Sequence, residues 1–191
     1  EVIKPNKEDV IILVDGDDEL YDNNVLSYLN KIYKNNDINL TFGNYVLRTK
    51  NNVTKKIIRP CNKYNLIDML NNNSFRKNLK FGPSHLKTFK YKLFHKIKEK
   101  DLKKNNKYIR TATDLTMMFP MLEMSRNKFM CIDKPLYIYT NDHPNSLHIK
   151  ARKKQIDINK YVRQLNKYDK ILENKVETDN LKYIKNKKCI N

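Results

Sequence analysis

The run Val10-Ile11-Ile12-Leu13-Val14, cut off by Asp15-Gly16-Asp17-Asp18-Glu19, constrains this chain more than any other segment. Five consecutive apolar residues, four of them β-branched, offer no polar face to water. They predict a strand covered on both sides, in the middle of a mixed or parallel sheet flanked by helices. The acidic segment then falls at the carboxyl end of that strand, where open α/β sheets bind ligands. In extended backbone residues i and i+2 share a face, so Asp15 and Asp17 are expected to look into one crevice, with Gly16 permitting a sharp turn between them. Two hard carboxylates there suit a divalent cation, and such a cation can hold a diphosphate. A calcium loop of the EF-hand type is excluded by counting from Asp15, because its glycine position falls on Leu20 and its closing glutamate on Leu26.

Downstream, Val25, Leu26, Leu29, Ile32 and Tyr33 are spaced as one face of a helix that Asn24 would cap. Ile38 to Arg48 alternates as a strand, with Gly43 marking a bulge or a close approach, and Val53 to Ile58 reads as its hairpin partner. A short helix is expected around Asn65 to Leu70. Leu86, Phe89, Leu93, Phe94 and Ile97 predict a longer, basic amphipathic helix from Ser84 or His85 to Lys100. Another helix starts near Thr113 and carries Leu115, Met118, Phe119 and Leu122, with Pro120 either kinking it or lying in its first turns. Phe129 to Thr140 reads as a strand broken at Asp133-Lys134-Pro135. Beyond Ile149 the composition shifts to 13 basic against 5 acidic residues, with Ile158, Val162, Leu165, Tyr168 and Leu172 at helical spacing. The expected organisation is an α/β region over residues 1–148 and a basic helical tail over 149–191.

Composition narrows the function classes. The 191 residues carry 39 Lys+Arg against 21 Asp+Glu, a formal charge of +18. Such charge invites a polyanion partner. About one residue in seven is Asn, however, and AT-rich coding yields that Lys, Asn and Ile bias without selection for binding. No apolar run approaches the roughly 18 residues of a membrane span, and the first residues lack the apolar stretch of a signal peptide, so a cytoplasmic protein is expected. Cys61, Cys131 and Cys189 are odd in number and far apart, which argues against a disulfide framework and against a structural zinc site.

The segment Ile11-Ile12-Leu13-Val14-Asp15-Gly16-Asp17-Asp18-Glu19-Leu20 resembles the hhhhDxDDxh motif of GT-A-fold glycosyltransferases, the large inverting family whose relatives glycosylate collagen-type hydroxylysine. Three further segments follow in that family's order. Phe81-Gly82-Pro83-Ser84-His85-Leu86-Lys87-Thr88-Phe89 is similar to the glycine-containing loop and helix that line the cleft, which implies donor or acceptor contacts for Gly82 and His85. Thr111-Ala112-Thr113-Asp114-Leu115 resembles the segment ending in the catalytic base and implies that role for Asp114, although Thr113 stands where the family carries Glu. A carboxylate at a helix start also suits a general base on chemical grounds alone. Leu136-Tyr137-Ile138-Tyr139, followed by His143-Pro144-Asn145-Ser146, is similar to the closing segment and implies His143 as a third metal contact.

The resemblance covers residues 10 to 148. It implies a metal-dependent, inverting hexosyltransferase that moves a sugar from a nucleotide diphosphate donor, a UDP-sugar by preference, to a hydroxyl of a protein or glycan acceptor, with collagen-like hydroxylysine preferred. Mn²⁺ or Mg²⁺ would be held by Asp15, Asp17 and His143. The matched part is the carboxyl-terminal portion of a GT-A-like catalytic domain, so the family's amino-terminal nucleotide-binding half is expected outside this chain. The alternative is a basic module that binds nucleic acid or an acidic surface through the Lys-rich stretch from Leu86 to Lys104 and the tail. No nucleic-acid-binding motif is present, and no nucleic-acid partner is expected. The oligomeric state is left open, a dimer included.

Overall fold

The computed structural model describes residues 4–49, 52–58, 66–78, 81–140 and 151–171. Its centre is a six-stranded mixed sheet built from β1 (Val10–Leu13), β2 (Glu19–Leu20), β3 (Leu40–Thr49), β4 (Asn52–Ile58), β5 (Lys87–Lys90) and β8 (Phe129–Thr140). The order is β1-β5-β3-β8-β2, with β4 pairing β3 off that path. β3 and β8 run parallel, and the other pairings are antiparallel. The fold class is therefore α/β with a mixed sheet, as the sequence implies. The placement of β1 differs from expectation. Among the described residues β1 pairs only with β5, at the end of the strand order, and all four of its residues are half-buried.

Two layers cover the sheet. On one face α1 (Val25–Asn35) buries Val25, Leu29 and Ile32 against Leu86, Ile132, Leu136 and Tyr137. Asn24 precedes this helix as expected, but its side chain makes no capping bond; Asp22 Oδ1 instead accepts the Asn24 N–H at 2.8 Å. On the other face lie α2 (Leu66–Asn71) and α4 (Thr113–Ser125), packed on Leu40, Phe42, Phe89 and Phe129. Pro120 stands inside α4, two turns from its start. Every residue from Met118 to Ser125 is buried, so packing on all sides holds a helix that proline alone would disfavour.

Gly43 answers the expected close approach. A Cβ there would lie 2.8 Å from the Ile132 carbonyl oxygen, so only glycine lets β3 and β8 approach this closely. Beside it, the ladder jumps from Gly43↔Ile132 to Tyr45↔Tyr137, and Asp133-Lys134-Pro135 forms the extra loop in β8. Asn44 Nδ2 stitches that bulge by donating to the Asp133 carbonyl and carboxylate at 2.8 and 2.7 Å.

The amphipathic helix predicted from Ser84 or His85 to Lys100 is not formed. That segment makes strand β5, a one-turn helix α3 (Tyr91–Phe94) and a 3-10 turn (Glu99–Leu102), followed by the small hairpin β6 (Lys103–Lys104) and β7 (Lys107–Tyr108). The helical spacing was a coincidence of two cores. Leu86 packs under α1 while Phe89 packs under α4, on opposite faces of the sheet. Lys87 and Thr88, outward in the expected helix, are buried.

The basic segment expected as a tail supplies α5 (Arg152–Gln164), whose Ile158 and Val162, with Tyr168 beyond it, are buried in the same core as α4. Leu172 lies outside the described residues. A buried ion pair fixes this packing. Arg76 donates through Nε and Nη2 to the two Glu123 carboxylate oxygens at 2.6 and 2.9 Å, and through Nη1 to the Val162 carbonyl at 2.5 Å. Glu123 also accepts the Tyr168 N–H, and Arg163 donates to the carbonyls of Arg76, Asn78 and Phe81. With each carbonyl and carboxylate partnered, the cost of burying these charges is offset. No helix among the described residues is long and apolar enough to cross a membrane. The cysteine spacing gives no framework, yet Cys131 is disulfide-bonded.

Candidate metal centre

The acidic segment leaves the strand sooner than expected. β1 ends at Leu13, and the Asp18 N–H donates to the Asp15 carbonyl at 3.1 Å, which makes Asp15-Gly16-Asp17-Asp18 a β-turn. Within a turn, residues i and i+3 meet. Asp15, Asp18 and His85 accordingly each present a ligand atom within 4.8 Å of the others. Asp17 is exposed and outside this group; its backbone carbonyl accepts from Thr140 Oγ1 at 2.7 Å. The expected pairing of Asp15 with Asp17 is thus replaced by Asp15 with Asp18, because turn geometry supersedes the alternation of a strand. His143, the third expected contact, lies outside the described residues.

All three groups are held against β8. Asp18 is 9% exposed; its Oδ1 accepts the Thr140 N–H at 2.7 Å, and its buried Oδ2 has no hydrogen-bond partner. Burial raises the Asp18 pKa, with Asp17 and Asp15 adding to the rise, against the lowering by the Thr140 N–H and the Tyr137 hydroxyl. Asp15 is anchored by its backbone N–H, which donates to the Tyr137 hydroxyl at 3.0 Å. His85 comes from the segment before β5 and lies against Tyr137 and Tyr139, with Tyr45 edge-on. Burial, with the Lys87 ammonium beside it, pushes the imidazole down to about 3, so His85 is neutral and keeps a lone pair.

This donor set fits a divalent cation. An unpartnered, buried carboxylate oxygen is costly in the fold and is what a cation would satisfy. Two carboxylates with one imidazole suit Mn²⁺ better than Mg²⁺, which prefers oxygen alone.

Asp114 stands in the first turn of α4, its side chain 40% exposed, with Oδ2 3.5 Å from Lys87 Nζ. Capping does not explain it, since the N-cap position of α4 is Ala112, held at φ 51°, and the helix has no side-chain cap. A non-glycine residue at positive φ is a sparsely populated conformation of the kind that clusters at functional sites. Lys87, in turn, is buried on β5, and its Nζ also lies 3.4 Å from His85 Nδ1. One ammonium therefore links the carboxylate of Asp114 to the group formed by Asp15, Asp18 and His85. Gly82 sits beside Leu115, where a Cβ would make an ordinary 3.5 Å contact, so packing does not require glycine there.

Sequence reasoning did not single out Asp18, Lys87 or Tyr137. The Asp-Gly-Asp-Asp string is itself a turn signal, and reading it as a turn would have paired Asp15 with Asp18. Lys87 gave no such signal, because it looked like one solvated lysine among many.

No protein-family model, curated protein or solved structure matches the chain.

Proposed function

We propose that this chain carries the metal and acceptor side of a metal-dependent glycosyltransferase of GT-A type, transferring a sugar from a nucleotide diphosphate donor to an acceptor hydroxyl. The observation that carries the reading is the grouping of Asp15, Asp18 and His85 one lysine away from Asp114. Asp15, Asp18 and His85 hold Mn²⁺, with the exposed Asp17 beside them. The bound cation supplies charge stabilisation for the departing diphosphate. Asp114 accepts the proton of the acceptor hydroxyl at its carboxylate, and Lys87 orients that carboxylate. Tyr137 keeps the acidic turn in place. UDP is the preferred donor nucleotide and collagen-like hydroxylysine the preferred acceptor, both on the motif resemblance.

In place of the Lys-rich helix on which the basic-module alternative relies, residues 87–104 form β5, α3, a 3-10 turn and strand β6, with Lys87 buried. The test is transfer or hydrolysis of UDP-sugars by the full-length protein in Mn²⁺. Mn²⁺-dependent turnover lost in Asp18→Asn and in Asp114→Asn supports the assignment. Turnover that persists in either variant, or none with any nucleotide sugar, removes it.

A further inference from the structure

We propose that Lys87 moves from His85 to Asp114 when the cation binds, so that loading the metal site also fixes Asp114. The inference rests on the metal site of the proposed function and not on the transfer reaction. Lys87 Nζ lies 3.4 Å from His85 Nδ1 and 3.5 Å from Asp114 Oδ2, with 5% of the Lys87 side chain exposed. An ammonium has three donors and no acceptor, so its contact with Nδ1 requires a lone pair there. A neutral imidazole has one lone pair, and Nε2 then carries the hydrogen.

A cation bound by His85 needs that same lone pair. If it binds Nδ1, it displaces Lys87 directly. If it binds Nε2, the hydrogen moves to Nδ1 and faces the ammonium, donor against donor. The Lys87–His85 contact is lost in both cases, and a nearly buried ammonium must keep a partner. Asp114 Oδ2 is already adjacent, and closing from 3.5 Å to charge-assisted hydrogen-bond range takes less than about 1 Å of side-chain motion. Lys87 is therefore a positioning residue. It couples the carboxylate of Asp114 to the metal cluster although Asp114 is no ligand.

The experiment is a double-mutant cycle read by Mn²⁺ binding alone, with free Mn²⁺ followed by electron paramagnetic resonance in the full-length protein, Lys87→Met, Asp114→Asn and the double variant. Asp114→Asn alone is expected to weaken Mn²⁺ binding about tenfold, a typical loss for an outer partner of a metal ligand, because Lys87 then stays on His85. In the Lys87→Met background the same change is expected to matter less than about twofold, since nothing remains to exchange. Equal losses in both backgrounds mean a plain charge effect and overturn the proposal. No Mn²⁺ binding by the unmodified protein overturns it together with the metal site, whereas a coupled cycle without sugar transfer removes only the enzymatic reading. Should Lys87→Met fail to fold, long-range ¹H–¹⁵N spectra of His85 in the unmodified protein decide. An Nε2–H tautomer in chelator, with the Nδ1 signal shifting on Zn²⁺ addition, supports the exchange, and an Nδ1–H tautomer in chelator overturns it.

Discussion

Tyr137 lies flat against His85, ring centroids 4.6 Å apart and planes 8° from parallel, while its hydroxyl accepts the backbone N–H of Asp15 at 3.0 Å. One side chain thus holds two of the three candidate ligands, the imidazole by its ring and the acidic turn by its hydroxyl. Tyr137→Phe keeps the stack and frees the turn. Mn²⁺ affinity, measured by calorimetry, should fall about tenfold as for other supports of metal ligands. The melting temperature should drop by only about 2–4 °C, the effect of about 1 kcal/mol in a domain of this size. Unchanged Mn²⁺ affinity would show that the turn needs no such anchor.

Asp18 is expected to trade stability for metal binding. Burial raises its pKa above the ordinary 3.8, so the folded chain holds that proton more tightly than the unfolded chain does. The penalty is absent below the unfolded value and grows as pH rises through the raised folded one. In chelator, Asp18→Asn should therefore melt higher than the unmodified protein at neutral pH, with the gap closing on acidification toward pH 4, and it should lose Mn²⁺ binding. A variant that melts lower at neutral pH would contradict the account.

Asp17 separates the turn from the strand reading of the acidic segment. Asp17→Asn, exposed and outside the cluster, is expected to change Mn²⁺ affinity less than about tenfold, and Asp18→Asn more than that. The opposite ranking, in the same titration, would restore the i, i+2 pairing.

The Arg76–Glu123 pair should dominate the stability of the carboxyl-terminal packing. Either Arg76→Ala or Glu123→Ala leaves a buried charge unpaired and is expected to cost about 3–5 kcal/mol in urea unfolding. The joint Arg76→Met, Glu123→Leu change should cost less than either alone, though not nothing, because the Val162 carbonyl and the Tyr168 N–H lose partners. Additive single effects would disprove the pairing.

Gly43→Ala probes the β3–β8 contact. Its Cβ would stand 2.8 Å from a backbone oxygen that cannot rotate away, so the parallel strands must part, at about 1–3 kcal/mol, the usual cost of overpacking. Wild-type stability in thermal melts would show that the strands give way freely.

Local pattern determined much of this protein. The β-branched run at Val10, the alternation through Leu40 and Phe42, the break at Asp133-Lys134-Pro135 and the apolar spacing of α1 and α4 each follow from side-chain periodicity. Asp15 was legible as a polar residue at the end of an apolar strand and Asp114 as a carboxylate at a helix start, whereas His85 was marked only by the motif resemblance. What only tertiary structure decided was which of them meet. Leu86 and Phe89 read as one helical face until two separate cores claimed them and drew the backbone between into a strand. That same strand buried Lys87 between His85 and Asp114, and the turn after β1 exchanged Asp17 for Asp18. Spacing along the chain sets the face a side chain prefers, but burial across the sheet sets which face is available, and at this site burial prevailed.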